Sequence, residues 1–446
     1  MDIPIRSVLV AVAVLCVAAA APKANAVNPP PDGGYPGGNT AEGLGALFSL
    51  TTGSYNTAVG FFSLRTNTAG DFNTALGAAT LFANTANQNT ALGAGALLSN
   101  ATGAFNTANG AFALFSNTDG PSNTAVGNMA LFNNTSGDGN TAVGESAMIA
   151  NTMGASNTAA GVSALRNNLT GNFNTAIGHG ALVANQASAN TAVGFRAAYS
   201  NTTGYSNTAI GNGALIANET GWENIAIGDG ALASNAASTT STAVGVRALG
   251  GGTQGVLNTA IGYEAGYNVD GIGNVCIGPG VHGEAGTLGN TWIANVYSSA
   301  AGDRAVYVNS DNKLGTLVSS RRYKDNIKLM AEASEAIFSL HPVSFRYKKE
   351  IDPAQCLSFG LIAEDVVQVD PNLVTADRNG NPETVRYEAV NAMLLNEFLK
   401  EHRKVQKLET ALEALNARLK EQEMELQRVS ARVEMRKAAR RVASRK

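Results

Sequence analysis

The chain has 446 residues and a formal net charge of −3. That length exceeds a single typical domain, and the near-neutral balance excludes a global basic field that would seek nucleic acid. The charge is unevenly spread, with only eleven charged residues between positions 51 and 250, so most of it lies in the C-terminal third.

Residues 1–26 read as a secretory signal peptide. Arg6 is a short basic region, 8–21 an apolar run, and Ala24-Asn25-Ala26 a small-x-small cleavage site. The apolar run is too short for a transmembrane span, and Leu15 before Cys16 is a poor lipobox, so the mature chain is expected to be secreted or at the cell surface. A Pro/Gly-rich linker is expected over 27–55. Only Cys276 and Cys356 remain beyond the leader, in segments of different composition, and no mutual disulfide is expected.

From Asn56 a phrase recurs as NTAVG, NTALG, NTANG, NTAIG, NIAIG, STAVG and NVCIG, always sixteen or seventeen residues apart. A second phrase such as GALLSN sits mid-unit, and a Gly-containing turn closes it. The array over 56–296 predicts a mainly β fold, a β-solenoid or β-roll rod with two short strands per unit. Gly and Asn are expected at positive-φ corners, Ala, Val, Ile and Leu inside, and Asn stacked as a ladder. Fifteen coils at about 4.8 Å make a rod of about 70 Å. A helix fails because Gly and Asn interrupt every run.

These units resemble the head repeats of YadA-like trimeric adhesins, although the unit here is longer. The resemblance implies a secreted or surface rod with a cell-surface or glycan ligand that the sequence does not identify; a passive spacer is the alternative.

Residues 297–318 read as a β connector, two strands around an Asn/Asp turn. In 319–390, KLMAEASEAIFSL reads as helix, PVSFRYK as strand, and SFGLIAEDVVQVDP as a buried strand leading into a short helix. LVTADRNGNPETVRY reads as a hairpin with Asn379-Gly380 at its tip. DRNGNPET near Asp377 lacks the alternating ligands and closing Glu of a calcium loop. Four scattered histidines (179, 282, 341, 402) show no metal-ligand spacing, and neither metal nor cofactor is expected. Residues 391–446 carry a helix with apolar residues three and four apart, the pattern of a coiled coil, and end in a basic tail.

The phrases SSRRYKDNI, LHPVSFRY, FGLIAEDV and TVRYEAVNAMLLNE, in that order before a coiled coil, resemble the peptidase S74 family, the intramolecular chaperone domains that end phage tailspikes and fibres. The resemblance covers about 319–409. It implies a small α+β chaperone domain that guides assembly of a homotrimer and then releases itself. The family pattern S-D-x-R-x-K carries a Ser-Lys dyad onto Ser319 as nucleophile and Lys324 as base, with Arg322 matching its arginine and Ser319–Ser320 the bond cut. Ser320 departs from the usual Asp. A serine needs a base within about 3 Å, yet five extended residues span about 16 Å, so 319–324 must turn, and assembly of three chains is one way to impose that. The alternative is a YadA-like adhesin with a retained, non-cleaving stalk.

Overall fold

The computed structural model describes residues 35–252, 255–296, 306–308, 313–316, 318–377 and 379–443. The expected signal peptide and the start of the linker lie outside them. The chain divides between residues 300 and 301 into two compact units.

The first unit is a parallel β-solenoid. Sixteen three-residue strands, β1 (Thr40–Glu42) to β16 (Thr291–Ile293), form one sheet in chain order. Equivalent residues pair, for example Thr57↔Thr74, Ala58↔Ala75 and Val59↔Leu76. The sheet begins one coil before the phrase at Asn56, because Asn39-Thr40-Ala41 lies in register with Asn56-Thr57-Ala58.

Strand side chains alternate, and three residues leave room for one inward position. Alanine takes it in nearly every coil, fully buried, while Thr and Val/Ile/Leu point out. Ile177 is 43% exposed and Ile210 39%. The expectation that Val and Ile fill the core is thus corrected: the core is alanine from the strand and leucine from the second phrase, Leu64, Leu81, Leu97 and Leu114 among them.

That second phrase forms turns rather than a second strand. Phe62 and Leu64 have φ of 58° and 49°. Phe62 donates its N–H to Leu44 in the preceding coil (2.9 Å), and Leu64 to Thr80 in the following one (3.0 Å). A left-handed leucine costs about 1 kcal/mol, less than the roughly 2 kcal/mol from burying its side chain. The inter-coil bonds hold the conformation in place.

The asparagine that opens nearly every strand phrase and most of those that close the second phrase are buried, and in the solenoid only Asn295 among the described asparagines takes a left-handed corner (φ 63°), contrary to the role expected of them. They form two ladders. In one, Asn123 donates its backbone N–H and Nδ2 to Asn106 Oδ1 (2.9 and 3.2 Å), and Nδ2 also reaches Gly137 O (2.8 Å). In the other, Asn134 Nδ2 donates to Asn117 Oδ1 (2.8 Å) and to the same Gly137 carbonyl (2.9 Å). Two stacked amides close the turn from both sides in this way from Gly70 to Gly221. The glycine that follows every strand but the last is required by close approach as well as by φ: at Gly161, φ +142°, a Cβ would sit 2.5 Å from the Gly178 carbonyl oxygen of the next coil. Tyr35 packs on one end of the core. At the other, Cys276 takes the alanine position and Trp292 follows it. The Cys276 thiol is free, and burial pushes its pKa up.

The second unit is small and α+β. Strands β17 (Tyr307–Val308) and β18 (Leu314–Gly315) pair antiparallel; residues 309–312 between them lie outside the described ones. A 3-10 helix, Ala331–Ser339, precedes the antiparallel pair β19 (Val343–Phe345) and β20 (Ser358–Gly360). Helix α1 (Ala363–Val369), the hairpin β21 (Val374–Ala376)–β22 (Pro382–Val385) and α2 (Tyr387–Ala443) follow. Strand β20 was expected to be buried, but Phe359 is 76% exposed. The core is a small cluster, Val366, Leu373, Val385 and Met393. Helix α2 runs 57 residues, about 86 Å at 1.5 Å per residue. Its seam residues Leu408, Leu412, Leu415 and Leu419 are all exposed in the single chain. Among the described residues no helix is long and apolar enough to cross a membrane.

Candidate active site

Ser319 and Lys324 are brought together by a local turn. Ser320 is extended (φ −65°, ψ 140°), and Arg321–Tyr323 then closes a single 3-10 turn. Tyr323 N–H donates to Ser320 O (3.0 Å) and Lys324 N–H to Arg321 O (3.1 Å). The chain thereby folds back over five positions, and Lys324 Nζ lies 3.2 Å from Ser319 Oγ. The separation that an extended segment would impose is removed within one chain, so the turn needs no assembly to form. Ser320, next to Ser319, is exposed. Arg322 lies with its guanidinium 4.8 Å from the centre of the Tyr323 ring.

Both members of the pair are exposed in the single chain. A serine is a weak nucleophile without an adjacent base, and a lysine serves as base only where water is excluded or cations crowd it. The pair has the distance for proton transfer but lacks the enclosure.

The Asp377 loop is a turn. Its carboxylate accepts from the N–H groups of Asn379 and Asn381 (2.8 Å each) and from Asn381 Nδ2 (3.0 Å). The bond from the Asn381 side chain, then its backbone, holds the Asp377 carboxyl below its usual range. Among the described residues no group of three or more His, Cys, Asp or Glu could hold a metal ion.

No sequence motif marks a polar cluster at the 3-10 helix Ala331–Ser339. Ser334 Oγ donates to Glu397 Oε1 (2.5 Å), and Lys400 Nζ donates to the same oxygen (2.6 Å). Lys400, and after it Ser334, hold the Glu397 carboxyl below its usual range, and Glu397 in turn raises the Lys400 pKa. Ser334 and Glu397 stand 63 positions apart, so only the tertiary fold reveals the group.

No curated protein and no solved structure matches the chain. One family does match in part: residues 319–375, the segment that opens on the Ser319–Lys324 pair, fit the family model of the chaperone of endosialidase, peptidase S74.

Proposed function

We propose that the chain is a secreted, self-assembling rod whose C-terminal domain guides the association of three copies and then cuts itself off once. The observation that carries this reading is the 3.2 Å approach of Lys324 Nζ to Ser319 Oγ inside the segment that matches the chaperone family. Ser319 is the nucleophile and Lys324 the base. Lys324 takes the hydroxyl proton as Oγ attacks the carbonyl carbon of the Ser319–Ser320 bond. The C–N bond breaks, the proton passes to the leaving amine of Ser320, and water hydrolyses the resulting ester. Within one residue that attack would close a four-membered ring, so the bond attacked is that of a neighbouring copy.

Three features of the single chain support assembly. The domain leaves Phe338, Ile351 and Phe359 at least 70% exposed, more apolar surface than its small core accounts for. The α2 seam has no partner, and an isolated helix of this length is poorly stable in water. The outer face of the solenoid sheet presents an apolar row, including Val143, Ile177, Ile210 and Ile261, that equivalent rows of two further copies would cover. A neighbour seated on the serine–lysine turn would also supply the enclosure the pair lacks. Three is the number that the family resemblance implies.

The mass of the purified chain tests the reading. Wild type should yield a fragment of residues 320–446, and Ser319→Ala or Lys324→Ala should leave the chain whole while still assembling. Lys324→Arg should also fail, because a guanidinium does not release its proton near neutral pH. An intact wild-type chain would support a retained stalk instead, and cleavage surviving in Ser319→Ala would remove the dyad.

A further inference from the structure

The second unit buries polar side chains at one place. Among its described residues Ser334 is fully buried and Glu397 is 7% exposed. Around them every polar contact closes. Ser334 Oγ donates to Glu397 and accepts from Asn396 Nδ2 (2.6 Å), which also donates to Ala331 O (3.0 Å). Lys400 Nζ lies between Glu397 (2.6 Å) and Glu335 (3.4 Å). Asn396, Glu397 and Lys400 belong to α2, whereas Ala331, Ser334 and Glu335 belong to the 3-10 helix.

This cluster fixes the point from which the serine–lysine turn departs. Ala331 has φ +47°, a left-handed conformation that alanine adopts only under constraint, and its carbonyl is held by Asn396. The six residues 325–330 are all that separate that anchored carbonyl from Lys324. The turn itself is exposed and carries none of the domain's buried side chains. A fully satisfied buried polar network selects one arrangement where apolar contacts alone would tolerate several.

We infer that Ser334, Asn396 and Glu397 form a positioning latch, which ties the 3-10 helix to α2 so that association of α2 sets where the Ser319–Lys324 turn is presented. The inference rests on the self-cleavage reading above. These residues act through the backbone of 325–331 and touch neither the reacting oxygen nor the base. Alanine is a better helix former than asparagine and at least as good as glutamate, so Asn396→Ala and Glu397→Ala leave α2 intact. Cleavage should therefore slow while α2 still associates, a split that a merely structural role would not produce.

The test uses full-length chains: wild type, Asn396→Ala, Glu397→Ala, Glu397→Gln and, on the same helix outside the cluster, Lys404→Ala. Fragment formation is followed on denaturing gels, and the oligomeric state of the same samples by sedimentation. Both alanine variants should assemble as wild type does yet cleave about tenfold or more slowly, the scale on which small misplacements of reacting groups act. Glu397→Gln, whose amide oxygen still accepts from Ser334, should recover most of the rate, and Lys404→Ala should match wild type. Alanine variants that cleave at the wild-type rate, or slow only in proportion to lost assembly, overturn the latch and leave the self-cleavage reading standing. A wild type that never cleaves overturns both.

Discussion

The buried asparagines carry the solenoid's specificity residue by residue. Asn140 accepts from Asn157 N–H and Nδ2 (3.0 and 3.1 Å) and donates to Gly154 O (2.8 Å). Asn140→Ala leaves the Asn157 backbone N–H without its acceptor at full burial and its Nδ2 bonded only to Gly171 O (2.8 Å), which should cost about 3 kcal/mol, read as a lowered denaturant midpoint. The chain holds a natural break of the same kind at Ser241, whose hydroxyl lies 3.5 Å from Gly255 O and 3.3 Å from Asn258 N. Ser241→Asn restores the missing amide and should raise stability by about 1 kcal/mol; an unchanged midpoint would show that the ladder tolerates gaps. In the second unit, the depressed Glu397 pKa makes its contribution complete above the ordinary carboxylate value of 4.5 and lost as pH falls through the lower folded value. Thermal melting followed from neutral to acid pH should show that loss, and Glu397→Gln should flatten it.

At the scale of elements, the period was legible and the conformation within it was only partly so. The recurrence of Asn-Thr-Ala fixed coil length, strand position and register, because a strand of three has one inward site and alanine marks it. The mid-unit phrase differs from the expected strand because Ala-Leu reads as a short apolar run, whereas Leu64 is buried by left-handed turns whose support comes from neighbouring coils, which local propensity does not contain. Asparagine differs similarly: its turn preference is real in isolation, but here its amide is used between coils. The family resemblance named Ser319 and Lys324 and the reach of the chain required a turn between them, while the 3-10 form of that turn and the Ser334–Glu397 bond across 63 positions lay beyond any local signal. Because each coil contacts mainly its neighbours, removing residues 140–156 should shorten the solenoid and leave it folded. Removing eight residues from the same coil should break both ladders. Circular dichroism and melting that do not tell the two deletions apart would contradict the stacked-coil account.

For the whole molecule, the assembly proposed above makes register the difficulty. Sixteen near-identical coils offer many offsets between copies, and long-range β pairing nucleates slowly. A C-terminal helix that associates first would set stoichiometry and alignment before the solenoids meet, and loss of the domain would then leave the rod kinetically trapped. The serine–lysine pair is already 3.2 Å apart in one chain but stands open to solvent, so on this account the neighbour supplies both the enclosure and the bond that is cut. The concentration dependence of self-cleavage tests this most directly. Wild-type chain is refolded from denaturant over a series of dilutions, and the appearance of the 320–446 fragment is timed at each. The rate should rise with chain concentration until assembly is complete and then level off. The same first-order rate at every dilution would mean that a single chain cuts itself, and would contradict the account.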